Sequence, residues 1–146
     1  FIPVLYLLFT VIASVVSLPV GRLSDKVGRK LILIMGYLFW TGVGLIFICF
    51  HTKWAIILGF VFYGLHKGTV DPIQRAFVSE LAPDEYRASI LGVFQMLIGI
   101  TALFASFLAG ILWDRFGIFV PFYLSVVLSL ISLVLLLRIK ETKFTL

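Results

Sequence analysis

The residues best suited to chemistry lie in one apolar stretch of the sequence, between residues 54 and 76. Lys67 and Asp71 are four positions apart there, so at about 100° per residue a helix would place both on one face. A lysine and a carboxylate at this spacing can form an ion pair, bind a polar solute or carry a proton. The sequence leaves the ion pair and the solute or proton role open. The candidate residues for such a pathway are Tyr63, His66, Lys67, Asp71 and Gln74.

His66 is interpreted as a packing residue rather than a metal ligand. The sequence has two histidines and the single cysteine Cys49, and none of the others is placed to share a metal with His66. We therefore expect no metal site and no cofactor.

Gln95 is a further candidate for the same pathway. It lies in a stripe of small residues along the stretch 86–112, which would let another helix approach closely. Its amide is expected either to hydrogen-bond a neighbouring helix or to contact the solute, and the sequence leaves these two alternatives open.

The composition excludes a soluble globular protein. Of the 146 residues, 62% are hydrophobic and 13% are charged, whereas globular proteins contain about 25% charged residues on average. The sequence also contains no nucleophile paired with a base, no H-E-x-x-H pattern and no phosphate-binding loop. We expect the protein not to be an enzyme, and no residue is assigned a catalytic role.

Hydrophobic runs of roughly 20 residues, long enough to span a bilayer, dominate the chain. They predict an all-α, polytopic membrane protein with five transmembrane helices near 2–20, 31–51, 54–76, 86–112 and 118–137. The third run reaches spanning length only if it continues through Lys67 and Asp71. The second and fifth runs have no ionisable residue before their ends, and we expect both to be lipid-facing supports.

The basic residues predict the orientation in the bilayer. Nine of them would lie at one end of the helices and two at the other. The positive-inside rule places segments 21–30 and 77–85 and the carboxyl-terminal tail in the cytoplasm. The net charge of +5 is then a topology signal, and we expect the partner surface to be the lipid bilayer and not a nucleic acid.

The most specific motif is the run G-R-L-S-D-K-V-G-R-K at positions 21–30. It is expected to be a tight turn in which Gly21 and Gly28 take positive backbone angles. Asp25 would accept hydrogen bonds from helix-terminal amides. The basic residues Arg22, Arg29 and Lys30 would hold the turn on the cytoplasmic side.

This run resembles the signature loop of the major facilitator superfamily, G-x-L-[GAS]-D-[RK]-x-G-R-[RK], with Val27 where an aromatic residue is common. Residues 79–87 look like the turn between the tenth and eleventh helices of that family, and residues 112–117 look like the outer turn before the last helix. The resemblance implies that residues 1–146 are a carboxyl-terminal half-domain with helices eight to twelve of the twelve. It also implies that the amino-terminal half of the same transporter is a partner of these helices.

The resemblance implies a secondary active transporter that moves a small solute across the plasma membrane by alternating access, with a proton as candidate coupling ion. It also implies a cytoplasmic gate in which Arg29 or Arg22 faces Glu80, with Arg87 on the next helix and Asp25 at a helix end. The alternative is a transporter-fold protein that does not transport and acts as a sensor or membrane assembly factor.

The predicted orientation is tested with single cysteines in a Cys49→Ser background. Lys26→Cys should react with a membrane-impermeant maleimide only in inverted vesicles, and Lys53→Cys only in intact cells, because the positive-inside rule places these positions on opposite sides. Labelling of Lys26→Cys in intact cells would contradict the orientation.

Overall fold

The chain folds into five α-helices in the computed structural model, which describes residues 2–138. The helices are α1 (Ile2–Val27), α2 (Arg29–Cys49), α3 (Lys53–Leu81), α4 (Arg87–Phe116) and α5 (Val120–Arg138), and a 3₁₀ turn, Asp84–Tyr86, precedes α4. Phe1 and the predicted tail with Lys140 and Lys143 lie outside the described residues. The all-α fold class predicted from the sequence is confirmed.

Short connections separate the helices, and each has a local chemical cause. Gly28 and Gly117 adopt φ angles of 94° and 103°, which only glycine adopts without strain. The Thr52 hydroxyl accepts a hydrogen bond of 3.3 Å from the Ala55 amide and so caps the start of α3. Pro83 stands at the break between α3 and the 3₁₀ turn.

The expected tight turn over residues 21–30 was wrong in its extent. Residues 21–27 continue α1, and Gly28 is the one non-helical residue before α2 begins at Arg29. Gly21 is helical and has no positive φ, whereas Gly28 does. Asp25 lies in the last turn of α1, near the first residue of α2. Glycine and polar residues are typical of a loop, but here they continue α1 beyond its apolar part.

The core follows the line along which α2 and α3 pack together. α3 lies between α1 and α2, and α2 also packs against α5. Ile32 of α2 and Ile73 of α3 are the most completely buried large side chains, at 2% and 1% exposure. α2 also has exposed apolar side chains, among them Leu31, Leu38 and Leu45, so its role as a lipid-facing support stays a prediction for that face.

Hydrogen bonds between side chains join α2 to α5 within this apolar packing. The Trp40 indole Nε1 donates to the Ser125 hydroxyl at 2.8 Å, and the Thr41 and Ser129 hydroxyls are also 2.8 Å apart. Polar groups buried between helices need partners, and these two contacts supply them.

Two glycines bring α1 and α3 into backbone contact. A methyl group added at Gly68 would lie 2.6 Å from the carbonyl oxygen of Ala13, and one added at Gly64 would lie 2.9 Å from that of Phe9. Small residues at this spacing permit close helix packing in membranes. Since α1 and α3 are joined through α2, they run in the same direction, and the basic residues gather at one end of the bundle.

Four of the helices in residues 2–138 are long and apolar enough to cross a membrane by length and composition: α1, α2, α5 and the segment Asp84–Phe116 that contains α4. α3 falls outside this set because it carries Lys67, Asp71 and Arg75. Its length of 29 residues is ample. Because it lies between the apolar helices α1 and α2, we retain the prediction that it is a fifth transmembrane helix.

Gly68→Ala should destabilise the protein, since the new methyl group would clash with the backbone of α1. Overpacking of this kind costs about 1–3 kcal/mol, and thermal unfolding in detergent measures it. Gly21→Ala is the matched control, because a methyl group there meets nothing within 4 Å. Equal melting temperatures for Gly68→Ala and the unsubstituted protein would contradict the close contact.

Candidate functional site

Lys67 and Asp71 form an ion pair in the middle of α3. Lys67 Nζ lies 3.0 Å from Asp71 Oδ2, and the two side chains are 40% and 41% exposed. Pairing neutralises the charge of both groups, which lowers the cost of placing them in hydrocarbon. About two fifths of each side chain nevertheless stays exposed, so the pair is accessible from outside the described helices.

The position of this pair follows from the two packed faces of α3. The glycine face meets α1, and the Thr69–Val70 face meets Gly36 of α2. Lys67 and Asp71 lie on the flank between these faces. Gln74 lies on the same flank and is partly buried.

Tyr63 lies one turn before Lys67 on that flank and joins the three helices. Its ring stacks on Phe9 of α1 with centroids 4.8 Å apart, and it lies 5.7 Å from the ring of Trp40 of α2. Aromatic pairs at these distances stabilise packing. The Tyr63 ring therefore lies at the end of the Lys67–Asp71 flank that is nearer the start of α3.

His66 points toward α2 and not along that flank. Its Nδ1 lies 2.8 Å from the Gly36 carbonyl oxygen, which can only accept, so the histidine donates. The imidazole also lies 5.0 Å from the Trp40 ring. This geometry fits the interpretation of His66 as a packing residue.

Gln95 is not brought to the α3 flank by the described helices. Its side chain is exposed, and within residues 2–138 no hydrogen bond joins it to Lys67 or Asp71. None of the residues of α4 is buried, and methyl groups at Gly92, Gly99 and Gly110 would meet nothing within 4 Å. The stripe of small residues thus has no partner helix in the described part of the chain.

Arg29 joins three helices at the basic end of the bundle. It follows the Gly28 turn, forms an ion pair with Glu80 near the end of α3, and lies 3.8 Å from the Asp25 carboxylate in the last turn of α1. Its side chain is 18% exposed, and Nη1 is buried without a hydrogen-bond partner among the described residues. Of the two arginines proposed to face Glu80, the structure places Arg29 there, while Arg22 is exposed.

Arg87 and Lys30 bind backbone carbonyl groups that the sequence could not reveal. Arg87 Nε donates to the Ser79 carbonyl oxygen at 3.0 Å, and its guanidinium pairs with Asp84. Lys30 Nζ donates to the Leu137 carbonyl oxygen at 3.1 Å and so ties α2 to α5. Every residue has a carbonyl, so no pattern of residue types could have identified these acceptors.

Metal binding finds no support in the described residues. Within residues 2–138, no group of three histidine, cysteine or acidic side chains is placed to hold a metal ion.

Comparison with known proteins identifies the family. The family model described as Major Facilitator Superfamily matches residues 2–144. The chain belongs to the major facilitator superfamily. The run 21–30, which resembles the signature loop of the superfamily, contributes Asp25 and Arg29 to the network at the basic end.

Several members of the superfamily resemble this chain. An uncharacterised MFS-type transporter of Methanocaldococcus jannaschii is 40% identical over 135 residues, which cover 92% of this chain and 34% of the relative. Multidrug resistance protein 3 of Bacillus subtilis is 28% identical, with 87% and 25% covered. The inner membrane transport protein YajR of Escherichia coli is 27% identical, with 80% and 25% covered. The chain thus spans about a quarter to a third of the length of these relatives.

Neutralising one partner of the α3 pair should cost more stability than neutralising both. Lys67→Met leaves the Asp71 carboxylate unpaired beside hydrocarbon, and loss of one partner of a buried pair costs about 3–5 kcal/mol, less here because the pair is half-exposed. Lys67→Met with Asp71→Leu should recover most of that loss. Thermal unfolding in detergent measures both, and equal stability of the single and double variants would contradict the pairing.

Proposed function

We propose that these residues are the carboxyl-terminal part of a secondary active transporter that moves a small solute by alternating access. The observation that carries the proposal is the half-exposed Lys67–Asp71 pair on a helix that lies between two apolar helices. Membership of the major facilitator superfamily, with relatives named as transporters, supports a transport function rather than an enzymatic one.

A charged pair in this position lowers stability, so its presence points to a function. On insertion scales, a charged residue at the bilayer centre costs about 2.5–3.5 kcal/mol. Packing alone would favour a small or apolar residue, such as Gly68 on the α1 face or Val70 on the α2 face of the same helix. An open pair instead offers a cation and an anion to a polar solute, with Tyr63 and Gln74 on the same flank.

Asp71 is the candidate proton carrier, and Lys67 opposes that role. Because Asp71 pairs with Lys67 at 3.0 Å, a proton that binds Asp71 replaces this ion pair, and Lys67 can then pair with the solute. Coupling between solute and proton would follow from this exchange of partners.

The Arg29–Glu80–Asp25 network is the candidate cytoplasmic gate. Both partners of the Arg29–Glu80 pair lie in these helices, so the pair fixes the shape of one half-domain rather than bridging the two halves. We place the gate and the carboxyl terminus on the cytoplasmic side of the plasma membrane because of the basic residues at this end. The amino-terminal half of the same transporter would complete the cavity.

The second candidate function is a sensor or membrane assembly factor with a transporter fold. Such a protein would have the same helices, ion pairs and orientation but would not move a solute across the membrane. Solute binding without counterflow in the full-length protein would favour it.

Asp71→Asn should lower solute uptake at least about tenfold in full-length protein reconstituted in liposomes, since 1.4 kcal/mol of lost interaction suffices for that factor. Uptake of a panel of sugars, peptides, organic ions and cationic dyes is measured with and without a proton gradient. Asp114→Asn is the matched control, because Asp114 is exposed at the opposite end of the bundle. Unchanged rate and pH dependence in Asp71→Asn would remove Asp71 from the pathway.

A further inference from the structure

The Lys67–Asp71 pair uses only part of its capacity to form hydrogen bonds. A lysine ammonium carries three hydrogens, and one of those of Lys67 is directed to Asp71 Oδ2 at 3.0 Å. The other carboxylate oxygen of Asp71, Oδ1, forms no hydrogen bond within residues 2–138. Both side chains are partly exposed. A ligand can therefore reach donor hydrogens and an acceptor oxygen without first breaking the pair.

Two uncharged polar side chains extend this array along the same flank of α3. Tyr63 lies one turn before Lys67, and Gln74 lies about one turn after Asp71. Neither forms a side-chain hydrogen bond in the part of the chain that the structure describes, and neither has a buried polar atom without a partner there. The order along the flank is thus hydroxyl, ammonium, carboxylate and amide, with each group open to a ligand.

The flank carries no net charge where a ligand would meet it. Lys67 and Asp71 cancel each other, and His66 is directed away from them, toward the Gly36 carbonyl of α2. Arg75 is exposed one turn nearer the basic end and forms no ion pair with Asp71. Its long side chain can reach the aqueous region from there.

This balance favours a solute that carries both charges. A carboxylate alone on Lys67, or an ammonium alone on Asp71, would leave the site with an uncompensated charge beside hydrocarbon, which is costly. A zwitterion supplies both groups, so that four charges alternate in sign and each has a partner. The Tyr63 hydroxyl can donate to the carboxylate, and the Gln74 amide oxygen can accept from the ammonium.

We propose that this flank binds a compact zwitterion of the α-amino acid class, with its carboxylate on Lys67 and its ammonium on Asp71. Lys67 Nζ and Asp71 Oδ2 are 3.0 Å apart, and an α-amino acid carries its two charged groups on a single carbon atom, so both can be met at once. The inference rests on the proposed function, since it names the solute class of the same site. The ammonium then takes the place at Asp71 that a proton would otherwise take.

The test measures the melting temperature of the full-length protein in detergent against ligand concentration, which gives an apparent Kd. The probes are the common neutral L-amino acids at neutral pH, each with its N-acetyl derivative, which keeps only the carboxylate, and its methyl ester, which keeps only the ammonium. At least one amino acid should bind at least about tenfold more tightly than both of its derivatives, because a site built to pair a polar group rejects an analogue that lacks it. ε-Aminocaproate, whose charges lie at opposite ends of a longer chain, should also bind at least about tenfold more weakly.

Variants with a single charge should invert this preference. Asp71→Asn leaves the Lys67 cation, so the N-acetyl derivative should bind at least as tightly as the free amino acid. Lys67→Met leaves the Asp71 anion, so the methyl ester should do so, and Lys67→Gln serves if Lys67→Met does not fold. Lys67→Met with Asp71→Leu is the matched control and should lose the response to all three forms.

The proposal is overturned if no amino acid raises the melting temperature, if ε-aminocaproate binds as tightly as the amino acids, or if both single-charge variants keep the original preference. It is also overturned if N-acetyl derivatives bind the unsubstituted protein as tightly as the free amino acids, which would assign a proton to Asp71 instead of an ammonium.

Transport is measured separately, as counterflow of the bound amino acid in liposomes. Binding with the expected preference but without counterflow would reject the transport function and leave the solute class in place. Uptake of another solute of the panel, with no response to amino acids, would support transport and overturn the solute class.

Discussion

Hydrocarbon offers no hydrogen bonds, so every polar group in this chain must find its partner within the protein or reach an aqueous region. The helices satisfy their own backbones, and the Trp40–Ser125 and Thr41–Ser129 contacts satisfy side chains between α2 and α5. This requirement is hardest to meet in α3, which is not apolar enough to be recognised as a membrane span from its composition. Its glycine contact with α1 and its packing against α2 hold it among apolar neighbours while Lys67 and Asp71 neutralise each other.

Much of the fold could be predicted from the sequence because the bilayer sets a simple length rule for helices. The five helices were predicted with their centres correct, and the errors lie at their ends. Residues 21–27 and 77–81 were expected to be loops, yet they extend α1 and α3. Polarity marks where a helix leaves the hydrocarbon and not where its backbone hydrogen bonds stop, so a hydropathy argument ends such helices too early.

Within the candidate site, an ion pair could be predicted from the sequence when both residues lie on one helix. A pair between two helices could not be predicted from spacing. Lys67 and Asp71 are four residues apart, so their pairing follows from helix geometry alone. The resemblance to the superfamily, rather than any spacing, pointed to Arg29 and Glu80, which are 51 positions apart. The contact of His66 with Gly36 and that of Arg87 with Ser79 depend on backbone carbonyls, and those left no signal in the residue types. The roles assigned to all these residues remain proposals.

The turn between α1 and α2 consists of a single residue, Gly28, with φ of 94°. A linker this short has no slack, so the rotation of α1 about its axis is set by the position of α2. An inserted residue would turn every later side chain of α2 by about 100°, which would carry Arg29 away from its two carboxylates. The α3–α4 connection has several residues between its helices and could absorb such a change, so loop length should be far more constrained at Gly28 than at Pro83.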